Sequence, residues 1–209
     1  MSSGHPTYLA LGDSYTIGES VSESERWPNQ LAALLRARGV DLASPVIVAK
    51  TGWTTDELAA AIPGKSREWG TFSLVTLLIG VNNQFRGRDL EQYRAQFVDL
   101  LHQSVGFAGG DPKRVLVLSI PDWGVTPFAE GRDRKKIGEE IDRFNAVNLE
   151  ETKRMGARYV DVTAVSRQVT DDRSLVAGDG LHPSGRQYAE WAKLALPEAA
   201  AALGIKESK

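Results

Sequence analysis

The chain has 209 residues, a length that suits one domain and allows roughly 70% of the unfolded surface to be buried. Its net charge of −2 sets up no field for nucleic acid or anionic lipid, and its 42% hydrophobic and 25% charged content is that of a soluble globular protein. The lack of cysteine excludes disulfides, thiolate metal sites and a cysteine nucleophile, and no window nears the ~18 apolar residues of a membrane span.

Residues 1–7 carry neither a basic segment nor an apolar run of signal-peptide length, so a cytoplasmic location is expected. Tyr8–Leu11 reads as a short buried strand. Trp27–Arg38 has apolar residues at Trp27, Leu31, Leu34 and Leu35, a helical spacing that Gly39 ends. Pro45–Ala49 is a second strand, after which Thr54 or Thr55 caps a helix through Ile62 with Asp56 and Glu57 in its first turn. Ser73–Ile79 is the strongest strand signal, with five apolar residues in seven. Asp89 opens a helix through Leu101 with Tyr93, Phe97, Leu100 and Leu101 on one stripe. Arg114–Ile120 is a fourth strand. The basic run Arg132–Lys136, flanked by acids, reads as a solvated helix start or loop. A helix over Ile137–Met155, a strand over Arg158–Val162 and a helix over Ser184–Leu203 complete the chain.

Continuous apolar strands separated by helices predict a parallel sheet, because parallel neighbours need crossover connections that cover both faces. Right-handed crossovers then give an α/β fold, a three-layer α/β/α sandwich with a five-stranded parallel sheet. No repeat or linker divides the sequence, so residues 1–209 are expected to form one domain. Ligands of such sheets lie beyond the carboxyl ends of the strands. Four strand-end segments carry chemically capable residues: Gly12-Asp13-Ser14, Lys50-Thr51-Gly52-Trp53, Gly80-Val81-Asn82-Asn83-Gln84 and Pro121-Asp122-Trp123. A fifth, Gly178-Asp179-Gly180-Leu181-His182-Pro183-Ser184, precedes the last helix.

Serine is common in turns and caps, so Ser14 alone is a weak signal. A dehalogenase-type phosphotransfer would need a second carboxylate where Tyr15 stands, and a G-x-S-x-G elbow would need glycine in place of Thr16. No phosphate-binding loop occurs. Among the three histidines, His5 lies in a polar leader and His102 inside a helical pattern. His182 sits in a turn-rich loop where Asp179, three residues upstream, can reach its Nδ1–H and leave Nε2 free as a base. One well-placed histidine is too few for a zinc site, so no metal is expected. Gly52 can bring a backbone N–H close to a substrate, and Asn82 can offer its side-chain amide, which together supply donors for an oxyanion. A nucleophile, two donors and an Asp–His pair after different strands make up an acyl-transfer constellation. Trp53 and Trp123 read as pocket wall or core.

The blocks "GDSYT", Gly52, "GVNN" and "DGLHP" resemble, in order and spacing, those of the SGNH or GDSL hydrolases. The resemblance spans nearly the whole chain and implies a flavodoxin-like SGNH hydrolase fold and no cofactor. It implies that Ser14 attacks, that His182 acts as base and then acid, and that Asp179 orients it. The oxyanion hole would combine the Ser14 N–H, the Gly52 N–H and the Asn82 amide. Tyr15 stands where the family often has leucine, and Asn83 where it usually has aspartate, which alters hydrogen bonding in that loop. Trp123–Lys136 lies where the family varies and is a candidate substrate wall or lid. The expected partner is a small-molecule ester with a small acyl group, without nucleic acid or membrane. A thioester or lysophospholipid substrate is the alternative within the family. A non-catalytic binding domain is the alternative outside it.

Overall fold

In the computed structural model, which describes residues 5–62 and 70–205, five parallel strands form one sheet in the order β2-β1-β3-β4-β5. They are β1 (Tyr8–Gly12), β2 (Val46–Ala49), β3 (Leu74–Leu78), β4 (Val115–Leu118) and β5 (Arg158–Val160). Every residue of β1, β3 and β4 is buried, which is why these strands read as unbroken apolar runs rather than alternating ones. β2 forms one edge and is partly exposed. The chain passes from β1 to β2 on one side and then back across to β3, so β1 and β3 flank the topological switch point.

The helices are α1 (Ser14–Ile17), α2 (Trp27–Ala37), α3 (Thr55–Ala61), α4 (Val81–Phe85), α5 (Leu90–Phe107), α6 (Arg134–Met155), α7 (Thr163–Ser166) and α8 (Gly185–Ala202). α2 packs along α8, which also covers β4 and β5, while α5 lies on β3 between α3 and α6. This makes the expected α/β/α sandwich. The largest fully buried side chains include Trp27 and Trp191, from α2 and α8, and Tyr93 and Phe97, from α5. No helix among the described residues is long and apolar enough to cross a membrane. The first four residues of the polar leader lie outside the described residues.

Several ends differ from those read in the sequence. α5 continues past Leu101 to Phe107, because Ser104 and Phe107 extend its buried stripe and Gly109 and Gly110, both at positive φ, end it. α6 begins at Arg134 rather than Ile137, since the Asp133 carboxylate accepts from Lys136 N at 3.0 Å and caps it. β5 stops at Val160, where Asp161 turns its carboxylate to Thr163 N (2.8 Å) and Ser119 Oγ (3.0 Å). The short helices α1 and α4 went unread, because four or five residues hold too little periodicity to show.

Candidate active site

β1 runs into α1 with no loop between them. A Cβ on Gly12 would sit 2.5 Å from Leu78 O and clash with Thr16, so the junction admits only glycine. Asp13 caps α1, its Oδ1 accepting from Tyr15 N at 3.0 Å. Ser14 is therefore the first helical residue, and its N–H has no intrahelical acceptor.

His182 faces it across the cleft, with Nε2 2.9 Å from Ser14 Oγ and Nδ1 2.6 Å from Asp179 Oδ2. The carboxylate makes Nδ1 the protonated nitrogen and leaves Nε2 to accept the Ser14 proton. The Asp179 Oδ1 accepts from Leu181 N (2.9 Å) and His182 N (3.0 Å), and its Oδ2 also accepts from Ser20 Oγ at 2.7 Å. Partial burial opposes ionisation of Asp179, but the His182 bond and the donated N–H and O–H groups outweigh it and hold the carboxyl well below the usual range. The Tyr15 ring packs on the imidazole with centroids 5.1 Å apart.

After β2, Gly52 adopts φ +84°, a left-handed turn in which an L side chain is strained. The Arg86 guanidinium donates to Gly52 O at 2.6 Å and to Glu57 Oε1 at 3.3 Å, fixing the turn. After β3, Asn82 Nδ2 donates to Trp53 O at 3.0 Å. Asn82 Nδ2 also donates to Asp13 Oδ2, but at an N···O distance of 3.5 Å, too long to compete strongly with an acceptor in the cleft. Asn83 clamps this loop to α3, with Oδ1 accepting from Thr55 N (3.1 Å) and Nδ2 donating to Thr55 Oγ1 (2.8 Å). Asp13 is fully buried and lacks a cationic partner in hydrogen-bond reach among the described residues. Burial pushes its carboxyl up to about 7, against the lowering effect of the Tyr15 N–H.

Ser14, Gly52, Asn82 and His182 line a single cavity of about 180 Å³. Val81, Phe85, Trp123, Phe128 and Leu181 form its apolar wall, so the Trp123–Lys136 segment contributes a wall through two aromatic rings. Asp179 stands behind His182, outside the cavity. His5 and His102 are exposed and away from it. Asp122, the other strand-end acid, pairs instead with Arg167 at 2.9 Å. Sequence reasoning missed Ser20, whose unusual φ of +64° aims it at Asp179, and nothing in the local sequence signals that conformation. It also missed Phe85, although the strand-end rule, extended by one residue past Gln84, would have reached it.

These features define a class, the SGNH hydrolases: a five-stranded parallel α/β sheet with a hydrogen-bonded Ser–His–Asp chain and a glycine and asparagine gathered at its carboxyl edge. Within that class the chain belongs to the GDSL-like Lipase/Acylhydrolase family, whose model matches residues 10–190, and it is an enzyme of that family's ester-hydrolase type. A search of curated proteins finds no match. Solved structures of the same fold include TesA, at 20% identity over 94% of this chain and 99% of that one, with a TM-score of 0.72. An Axe2 variant, an acetyl xylan esterase from Geobacillus stearothermophilus, is 18% identical over 98% and 97% of the two chains, with a TM-score of 0.71. The lipase/acylhydrolase from Enterococcus faecalis is 20% identical over 97% and 100%, also at 0.71.

Proposed function

We propose that the protein hydrolyses carboxylic esters of small acyl groups through an acyl-enzyme on Ser14. The observation that carries this reading is the unbroken chain from Ser14 Oγ through His182 to Asp179, with links of 2.9 and 2.6 Å. His182 Nε2 takes the Ser14 proton as Oγ bonds the acyl carbon, and the carbonyl electrons move onto oxygen. The N–H groups of Ser14 and Gly52 and the Asn82 amide receive that oxyanion, and each such donor typically lowers the barrier by roughly 3 kcal/mol. As the C–O bond to the alcohol breaks, His182 returns the proton to the leaving oxygen. Water, deprotonated by the same nitrogen, then attacks the acyl-enzyme and frees Ser14. The cavity of about 180 Å³, walled by rings, favours a short acyl chain.

Two measurements test this. A fluorophosphonate probe should label the protein at Ser14, and a panel of 4-nitrophenyl esters from acetate to decanoate should show turnover that peaks at short chains. Ser14→Ala should lose both while keeping its fold by circular dichroism. Turnover by Ser14→Ala at the parent's rate would sink the assignment.

A further inference from the structure

Phe85, Trp123 and Phe128 converge at the cavity, with ring centroids 5.3, 6.0 and 6.3 Å apart and mutual tilts of 69°, 66° and 42°. Their shared face is occupied. The Arg132 guanidinium carbon lies 5.5 Å from the Phe85 centroid, 5.4 Å from Trp123 and 5.2 Å from Phe128. All three distances fall within cation–π range, so one exposed, four-torsion side chain is held over the cleft wall by three rings.

The rest of the basic run is otherwise engaged. Arg134 donates to Thr126 O at 3.2 Å, while Lys135 and Lys136 each lie 3.9 Å from a glutamate one turn along α6. Arg86, the other arginine beside the site, is committed to Gly52 O and Glu57. Arg132 has neither a carboxylate in ion-pair reach nor a side-chain hydrogen bond among the described residues. Aromatic faces attract the charge of a guanidinium without taking up its N–H donors, which are left free for a carboxylate or phosphate. The cavity wall itself offers no anion to neutralise it. Arg132 does not itself line the cavity; it is exposed and lies over three rings that do, two of which, Phe85 and Phe128, are 46% and 41% exposed, so its charge sits at the rim of the aromatic wall.

We propose that Arg132 binds an anionic group of the substrate, a carboxylate or a phosphate, so that the preferred esters carry negative charge a few atoms from the carbonyl that Ser14 attacks. The inference rests on the ester-hydrolase reading for the identity of the ligand. The same contact repels esters bearing a quaternary ammonium, because the ring cage that would hold one is already filled by a cation.

The test compares anionic and neutral esters as a ratio, so that any general loosening of the wall cancels. Mono-4-nitrophenyl glutarate against 4-nitrophenyl valerate probes the acyl side, and 2-butyryloxyethyl phosphate against ethyl butyrate probes the alcohol side. In at least one pair, Arg132→Ala should lower the anionic-to-neutral ratio of kcat/KM fivefold or more. Arg132→Lys should keep part of it, and added salt should erode it in the parent only. The arm that responds shows whether the recognised anion is carried on the acyl side or on the alcohol side of the ester. An unchanged ratio in both arms, or equal loss on both members of each pair, overturns the proposal and leaves Arg132 as a clip on the wall. The ratio of dissociation constants is measured in parallel by calorimetry on Ser14→Ala and Ser14→Ala/Arg132→Ala. If no ester turns over, the hydrolase reading fails, and the binding ratio still decides the arginine.

Discussion

Two aspartates flank the Ser14–His182 pair, and their surroundings drive them apart. Asp179 accepts from four donors and is held well below its ordinary range, so it stays ionised and keeps Nδ1 of His182 protonated. Asp179→Asn would let the ring adopt the other tautomer, and kcat on a neutral ester should fall by a factor on the order of 10³–10⁴ with little change in KM. Asp13 is the reverse case, a fully buried carboxyl pushed up to about 7. Because its folded value lies above the ordinary value near 3.9, the folded state holds a proton that the unfolded chain releases across that interval. Stability from this group is therefore present in acid and lost as pH rises from about 4 to 7, at about 1.4 kcal/mol per pH unit, for a ceiling of ~4 kcal/mol. Asp13→Asn keeps the cap to Tyr15 N without the charge. Urea midpoints should bring the parent and Asp13→Asn together at pH 4 and leave the parent weaker at pH 8. A difference that stays flat across that interval would remove Asp13 from the account.

At the scale of elements, periodicity and caps carried most of the legible information. Asp89, Thr54 and Ser184 stand as N-caps where side-chain chemistry predicts them, since each has an oxygen that reaches a first-turn N–H or joins a capping box. Ends set by tertiary contact were not legible, as with α5, whose last turn persists because Phe107 is buried. α8 shows a cost that local rules foresee. Pro197 lies inside it, exposed, and cannot donate to the carbonyl of Lys193. The helix nonetheless continues to Ala202, because Ala195, Leu196, Ala199 and Ala200 are buried on both sides of the proline. Packing outweighs the lost hydrogen bond. Pro197→Ala restores that bond at a small entropic cost in the unfolded chain, and the net gain should be about 2 kcal/mol. In a thermal scan that corresponds to a Tm rise of roughly 4–8 °C.

For the molecule as a whole, the order β2-β1-β3 brings Ser14 after β1, Gly52 after β2 and Asn82 after β3 to one edge. The strand-end rule made this grouping readable from sequence, because parallel strands all present the same end. The Trp123–Lys136 segment was readable as a candidate wall, but the part of Phe85 in it was not, since the rings of that segment meet Phe85 only in three dimensions. One glycine joins the site to the packing of the helical layer. Gly80 has φ +128°, and a Cβ there would fall 2.8 Å from Tyr93 Cζ and closer still to its hydroxyl. That ring is fully buried, donates to Asn148 Oδ1 at 2.5 Å and lies 3.2 Å from Ile79 O, tying β3 to α5 and α6. A methyl group must therefore displace Tyr93 or move the β3–α4 turn that carries Asn82. Gly80→Ala should cost about 3 kcal/mol or more, a Tm drop on the order of 6–12 °C. Well below that lowered midpoint, where the variant remains folded, kcat should still fall, because Asn82 is two residues from the shifted turn. Full activity in the folded variant would show that Tyr93 alone yields and that the strand end is fixed independently of it.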